Sequence, residues 1–168
     1  MPGPRRPAGG FTLIELLVGV AIIGIVSAVA IVGYTRFIQQ AREATVIQYL
    51  REIHKGELAW QLETDDPGFT GDFDELEETG LVPRADNSVR LRVRTARRTG
   101  RETETSSRDY QTYRLSLSAV STPSTNTYTY TVTARPVDGR RSVRWFYLDQ
   151  TGIIRAGLGR ANANSPPL

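Results

Sequence analysis

Cysteine is absent from the 168 residues, and histidine occurs once, at His54. No disulfide can staple such a chain and no thiol chemistry is open to it. A lone histidine beside an apolar helical stripe reads as a packed or surface residue, with no metal cluster to be assembled around it. A Ser/His/Asp arrangement at workable spacing and a glycine-rich phosphate loop are missing too, which argues against an enzyme. Charge is missing from Leu16 to Thr35, a run of twenty residues. As a helix that run spans roughly 30 Å, the thickness of a bilayer's hydrocarbon core. Just before its start lies Glu15, the only charged side chain between Phe11 and Thr35. A carboxylate at that depth costs about 3 kcal/mol in lipid, so it needs a partner.

An ordinary secretory signal places its small-residue cleavage site after the apolar core. Here Gly9 and Gly10 precede the core and follow a Pro/Gly/Arg leader containing Arg5 and Arg6. Cleavage after Gly10 releases residues 1–10 and keeps the hydrophobic helix. The stretch Gly10-Phe11-Thr12-Leu13-Ile14-Glu15 resembles the processing site of type IV prepilins and pseudopilins. The resemblance implies a membrane peptidase that cuts after Gly10 and methylates the new amine of Phe11. It also implies that Glu15 pairs with the Phe11 amine of a neighbouring subunit, setting the stagger of a filament. A pair of this kind is sensitive to loss of either member, because the survivor is a desolvated charge.

Composition bounds the rest. With 39% apolar and 23% charged residues the chain fits one modest domain plus an anchor. Loss of Arg5 and Arg6 with the leader lowers the formal net charge from +3 to +1, so the high pI argues little for nucleic acid. The leader arginines predict a cytoplasmic N-terminus with the rest of the chain on the far side.

The helix is expected to run on to about Leu62, giving a spine over 11–62. Val46, Leu50, Ile53 and Trp60 recur at near-helical spacing, flanked by Tyr49 and Leu58. This is similar to the pilin spine, whose first part (11–35) lies in the membrane or filament core and whose second part belongs to a head (36–168). Many major pilins carry a proline about twenty residues into the mature helix; Val32 and Gly33 stand there instead. Glu63-Thr64-Asp65-Asp66-Pro67-Gly68 reads as a helix stop. From Glu57 to Glu78 there are nine carboxylates and no basic residue, read as a solvated, self-repelling segment with a short helix over Asp72–Thr79 closed by Gly80. No cofactor is expected. Calcium at Asp65, Asp66, Asp72 and Asp74, whose spacing does not fit an EF-hand, or at Asp149, is the alternative.

Between Arg84 and Arg101 the sign reverses, with seven arginines against Asp86. Val89 to Arg94 alternates as a strand does. Arg90, Arg92, Arg94, Arg97 and Arg98 suit an electrostatic contact with the acidic loop of a neighbouring subunit; phosphate binding is the competing use, disfavoured because no aromatic residue interrupts the row. Residues 99–109 read as a mobile polar loop. Beyond them, Tyr113-Leu115-Leu117-Ala119 and Tyr128-Tyr130-Val132-Ala134 alternate with polar residues, then come a run from Val143 to Leu148, a turn at Asp149–Gly152 and Ile153-Ile154-Arg155. That is a meander, expected to lay one apolar face on the helix as an α+β two-layer head. The sequence from Thr133 to Arg155 looks like the closing hairpin of Acidobacteria-like type IV major pilins. Residues 157–168 read as a frayed tail.

The resemblance implies a structural subunit of a type IV pilus-like helical homopolymer. Its implied partners are copies of itself, a prepilin peptidase, an assembly ATPase, a platform protein and an outer-membrane channel. Before assembly the chain would sit in the inner membrane with its head in the periplasm; afterwards it would belong to an extracellular pilus or a periplasmic pseudopilus. A type II secretion pseudopilin is the sibling reading, and a DNA-uptake pilin binding through Arg90–Arg98 a third.

Overall fold

The computed structural model describes residues 10–64, 68–78, 80, 82–84, 90–91, 96–98, 100–139 and 143–168. Helix α1 runs from Leu13 to Glu63, unbroken through Gly24 and Gly33. It crosses two compact units, Met1–Gln40 and Ala41–Leu168.

In the first unit the helix is exposed. Phe11, Leu13, Ile14, Leu16, Leu17, Ile23, Ile25, Ile31 and Phe37 are all more than half exposed. An 18-residue window has mean hydropathy 2.8 with none of it buried, so the helix is long and apolar enough to cross a membrane.

In the second unit the helix buries one stripe. Val46, Tyr49, Leu50 and Ile53 are shielded from solvent and Trp60 is partly so, while Leu58, expected beside them, is exposed. The stripe packs against an antiparallel sheet of order β1-β3-β4-β5-β6-β7, with β2 also paired to β3: β1 Arg90–Leu91, β2 Ala96–Arg98, β3 Arg101–Tyr110, β4 Tyr113–Thr122, β5 Thr127–Pro136, β6 Arg144–Asp149 and β7 Arg155–Leu158. Period-two alternation sends Tyr113, Leu115, Leu117, Ala119, Tyr130, Val132, Ala134, Phe146 and Leu148 inward. Tyr128 is only half-buried, because it lies at the open end of β5. A short helix α2, Phe73–Glu78, adds Phe73 and Leu76 to the core and is followed by Gly80 at φ 72°. An ion pair ties the layers, with Arg144 Nη2 donating to Glu43 Oε2 at 2.6 Å.

Three expectations are corrected. Residues 99–109 are not a mobile loop: Arg101–Tyr110 is the ten-residue strand β3, paired along its length with β4. Its inward positions, Ser106 and Arg108, are polar, so the hydrophobic alternation that marks a half-buried strand was absent. Second, the acidic segment is not a solvated face. Gly71 N donates to Glu104 Oε2 at 3.1 Å, Phe73 N to the Ser106 hydroxyl at 3.2 Å, and Arg108 pairs with both Glu77 and Asp74. Third, the C-terminus is held. Ala156 N donates to Pro166 O and Leu168 N to Ile154 O, each at 3.0 Å, and Ala161 is buried. The strand expected at Ile153–Arg155 begins two residues later, at Arg155, because Ile153 and Ile154 complete the turn.

Candidate functional site

The N-terminal segment is built on a helix start. Gly10 to Thr12 are non-helical, and Leu16 N donates to Thr12 O at 3.3 Å as the helix closes. Thr12 is the N-cap and Glu15 the third helical residue. Glu15 N donates to the Thr12 hydroxyl at 3.3 Å, Thr12 N donates back to Glu15 Oε2 at 3.0 Å, and the Thr12 hydroxyl donates to the same oxygen at 2.8 Å. This reciprocal arrangement is a capping box, which satisfies otherwise orphaned helix N–H groups and also places a carboxylate at the positive end of the helix dipole. The spacing Thr12-x-x-Glu15 carries that signal; weighing Glu15 only as an intermolecular partner passed over it. Phe11, immediately before the cap, is 81% exposed. A Cβ at Gly10 would meet nothing, so packing gives no reason for glycine there.

The arginine row is placed only in part. Arg90 pairs with Arg108 across β1 and β3, and Arg97 and Arg98 pair with Glu102 and Arg101 across β2 and β3; Arg92 and Arg94 lie outside the described residues. Asp65 and Asp66 also lie outside them. Among the described residues, no group of three or more His, Asp or Glu side chains is arranged to hold a metal ion. Asp149 is engaged in its turn: Thr151 N donates to its Oδ1 at 3.0 Å, Gly152 N to its carbonyl at 3.0 Å, and Gly152 takes φ 72°. These are the Asx bond and positive φ that a turn at this position calls for. His54 packs beneath that turn, its Nδ1 bonded to the Tyr130 hydroxyl. Burial holds its pKa below the ordinary value, with Asp149 opposing.

Two buried ionisable side chains in the head were not read as such from the chain. Glu57 continues the stripe Val46-Leu50-Ile53 and is fully buried, with Oε2 accepting from Thr70 N at 3.2 Å and Oε1 without a hydrogen-bond partner among the described residues. Burial pushes its pKa up to about 8; the Thr70 N–H opposes the rise, and Glu75 and Glu104 add to it. Arg108 lies over the Phe73 ring at 4.9 Å, donates to the Tyr49 hydroxyl at 3.1 Å and pairs with Glu77. Burial works against its charge, and Glu77 and Tyr49 more than restore it.

Residues 5–31 match the model of the prokaryotic N-terminal methylation motif. The type IV major pilin protein PilA of Myxococcus xanthus is 33% identical over 87 residues, which are 52% of this chain and 37% of that protein. The chain is thus similar to type IV pilins and carries their N-terminal methylation motif. The long N-terminal helix with an antiparallel sheet is the α+β fold of these pilins. The methylation motif lies on a helix long and apolar enough to cross a membrane. The chain spans little more than a third of the length of the Myxococcus pilin it matches. No solved structure matches it.

Proposed function

We propose that this pilin is the building block of a type IV pilus-like helical filament, matured by cleavage of the Gly10–Phe11 bond and N-methylation of Phe11. The observation that carries the reading is the exposed apolar helix from Leu13 to Phe37 joined to the methylation motif at residues 5–31. A helix so apolar is soluble in lipid or against copies of itself, and little else. In the inner membrane, lipid covers it, with the leader on the cytoplasmic side and the head in the periplasm. In the polymer, the same helices of other subunits replace lipid, so the transfer costs little hydrophobic free energy. Head-to-tail contacts that do not close generate the helical symmetry.

Glu15 fits both states. In the single chain Thr12 satisfies its carboxylate, and both residues follow the cleavage site, so the cap survives processing. In the polymer the carboxylate turns to the Phe11 amine of a neighbour, neutralising two charges in an apolar bundle. Extraction from the membrane requires an assembly ATPase, a platform protein and, for a surface pilus, an outer-membrane channel. The relative's printed name, a type IV major pilin, supports a pilus over a secretion pseudopilus.

The test is intact-mass and peptide analysis of fibres sheared from producing cells. Abundant fibres of chains beginning at N-methylated Phe11 are expected. A processed chain confined to the inner membrane fraction would point to a periplasmic pseudopilus, and a chain still carrying residues 1–10 would overturn the maturation step.

A further inference from the structure

The outward face of the sheet carries a groove of about 310 Å³, lined in part by Arg114 and Ser116 of β4, Thr133 and Arg135 of β5, Trp145 of β6, and Arg160 of the C-terminal segment. Its size falls at the lower end of small-ligand sites. Its charge is unusual for a sheet surface. Arg114 and Arg135 are direct cross-strand partners, a placement in which like charges destabilise the pairing. One carboxylate compensates: Asp109, Arg114's partner on β3, accepts from Arg114 Nε at 2.6 Å and Nη2 at 2.9 Å. Arg135 acts on the same Asp109 only at longer range, and among the described residues no ion pair engages Arg135 or Arg160. Three guanidiniums therefore border one groove with one acid among them, and an anion of the right size would relieve their repulsion.

The remaining lining narrows the ligand. Ser116 and Thr133 are cross-strand partners with outward hydroxyls, and Trp145 offers a half-buried indole beside them. Hydroxyls paired with an aromatic plane suit a sugar ring, whose polar edges hydrogen-bond and whose C–H face lies on the indole. Forked guanidiniums suit a planar carboxylate. Nucleic acid would call for cations strung along a backbone and several stacking platforms, whereas here the cations converge on one point beside one indole. The fold of the C-terminal segment makes the groove: Arg155 Nη1 donates to Ser165 O at 3.0 Å and the Ala156–Pro166 bond draws residues 159–168 back, placing Arg160 and Ala161 in its wall.

We propose that this groove binds an acidic saccharide, with Arg135 and Arg160 holding its carboxylate and Trp145 stacking on its ring. The site lies wholly on the head and holds whether the filament is a pilus or a pseudopilus. The test is calorimetric titration of the full chain in non-ionic detergent with trigalacturonate, the uncharged trisaccharide maltotriose, and a ten-residue oligothymidylate. Saturable binding of trigalacturonate alone is expected. Each charge-assisted bond lost weakens binding by ~10-fold or more, so Arg135→Gln with Arg160→Gln should weaken it by roughly 100-fold. Trp145→Ala should weaken it too, Arg160→Lys should fall between, and Arg51→Gln on the helix should leave it unchanged. Circular dichroism would verify that each variant is folded. Equal binding of maltotriose, preference for the oligonucleotide, no saturable binding, or indifference to the Arg135/Arg160 changes would each overturn the proposal.

Discussion

Glu57 shows how one side chain sets a pH response. Its carboxyl is buried among Thr70, Glu75, Glu104 and Tyr130, and its pKa rises from 4.5 to about 8. The unfolded chain releases this proton near pH 4.5 while the folded head keeps it to about pH 8, so unfolding releases a proton across that window. The stability tied to the protonated group is full below pH 4.5 and is lost as pH rises through 8. Glu57→Gln should remove that decline and leave the variant more stable than the parent at pH 9, by up to roughly 4 kcal/mol, with little difference at pH 4. Urea unfolding at both pH values measures it; an unchanged gap between the two proteins would show that Glu57 does not titrate in this way. Arg108 is the opposite case, a buried charge whose partners are present. Arg108→Met takes the closer of two arginines from Glu77, whose carboxylate is almost fully buried, leaving Arg84 at 3.5 Å, and should destabilise the head by about 2–4 kcal/mol. Adding Glu77→Gln should recover part of that loss, which a double-mutant cycle by thermal unfolding would show.

At the scale of elements, the surprise is how polar contacts hold pieces that look like loops. The connection from α1 to α2 docks on β3 through backbone donors to Glu104 and Ser106, Arg108 holds α2, and Phe69 adds an apolar contact with the core. Gly71 makes that possible: a Cβ there would lie 2.5 Å from the backbone oxygen of Glu104. Gly71→Ala should therefore cost about 1–3 kcal/mol by forcing the loop off β3. Gly10→Ala, with open space around the Cβ, should leave head stability unchanged. Thermal denaturation of the two variants compares them directly. The C-terminal segment behaves similarly, with its backbone bonded to Ile154 and Ala156. Deleting residues 159–168 should lower the melting temperature of the head, whereas a frayed tail would be removed without effect.

For the molecule as a whole, the two units differ in what they bury. Ala41–Leu168 encloses a core, and the described apolar side chains of Met1–Gln40 are open. The full chain should partition into the detergent phase of a cloud-point extraction, and a chain lacking residues 1–40 should remain in the aqueous phase. Recovery of the full chain in the aqueous phase as a monomer would contradict a membrane-stored subunit.

Much of this protein was determined by the order of residues alone. A glycine before an uncharged run, a glutamate five residues on, and apolar residues at helical and then period-two spacing are local facts, and local periodicity dictates helix, strand and the face each buries. The inward positions of β4, β5 and β6 were legible for that reason, as was the turn at Asp149–Gly152. What only the tertiary structure decided is where polar residues find partners. Glu57, Ser106 and Arg108 look like surface residues along the chain, because the groups that satisfy them lie 13, 35 and 31 positions away. Burial of a charge depends on those distant partners and not on its neighbours in sequence, so β3, the docked acidic segment and the arginine-lined groove emerge only when the sheet is assembled.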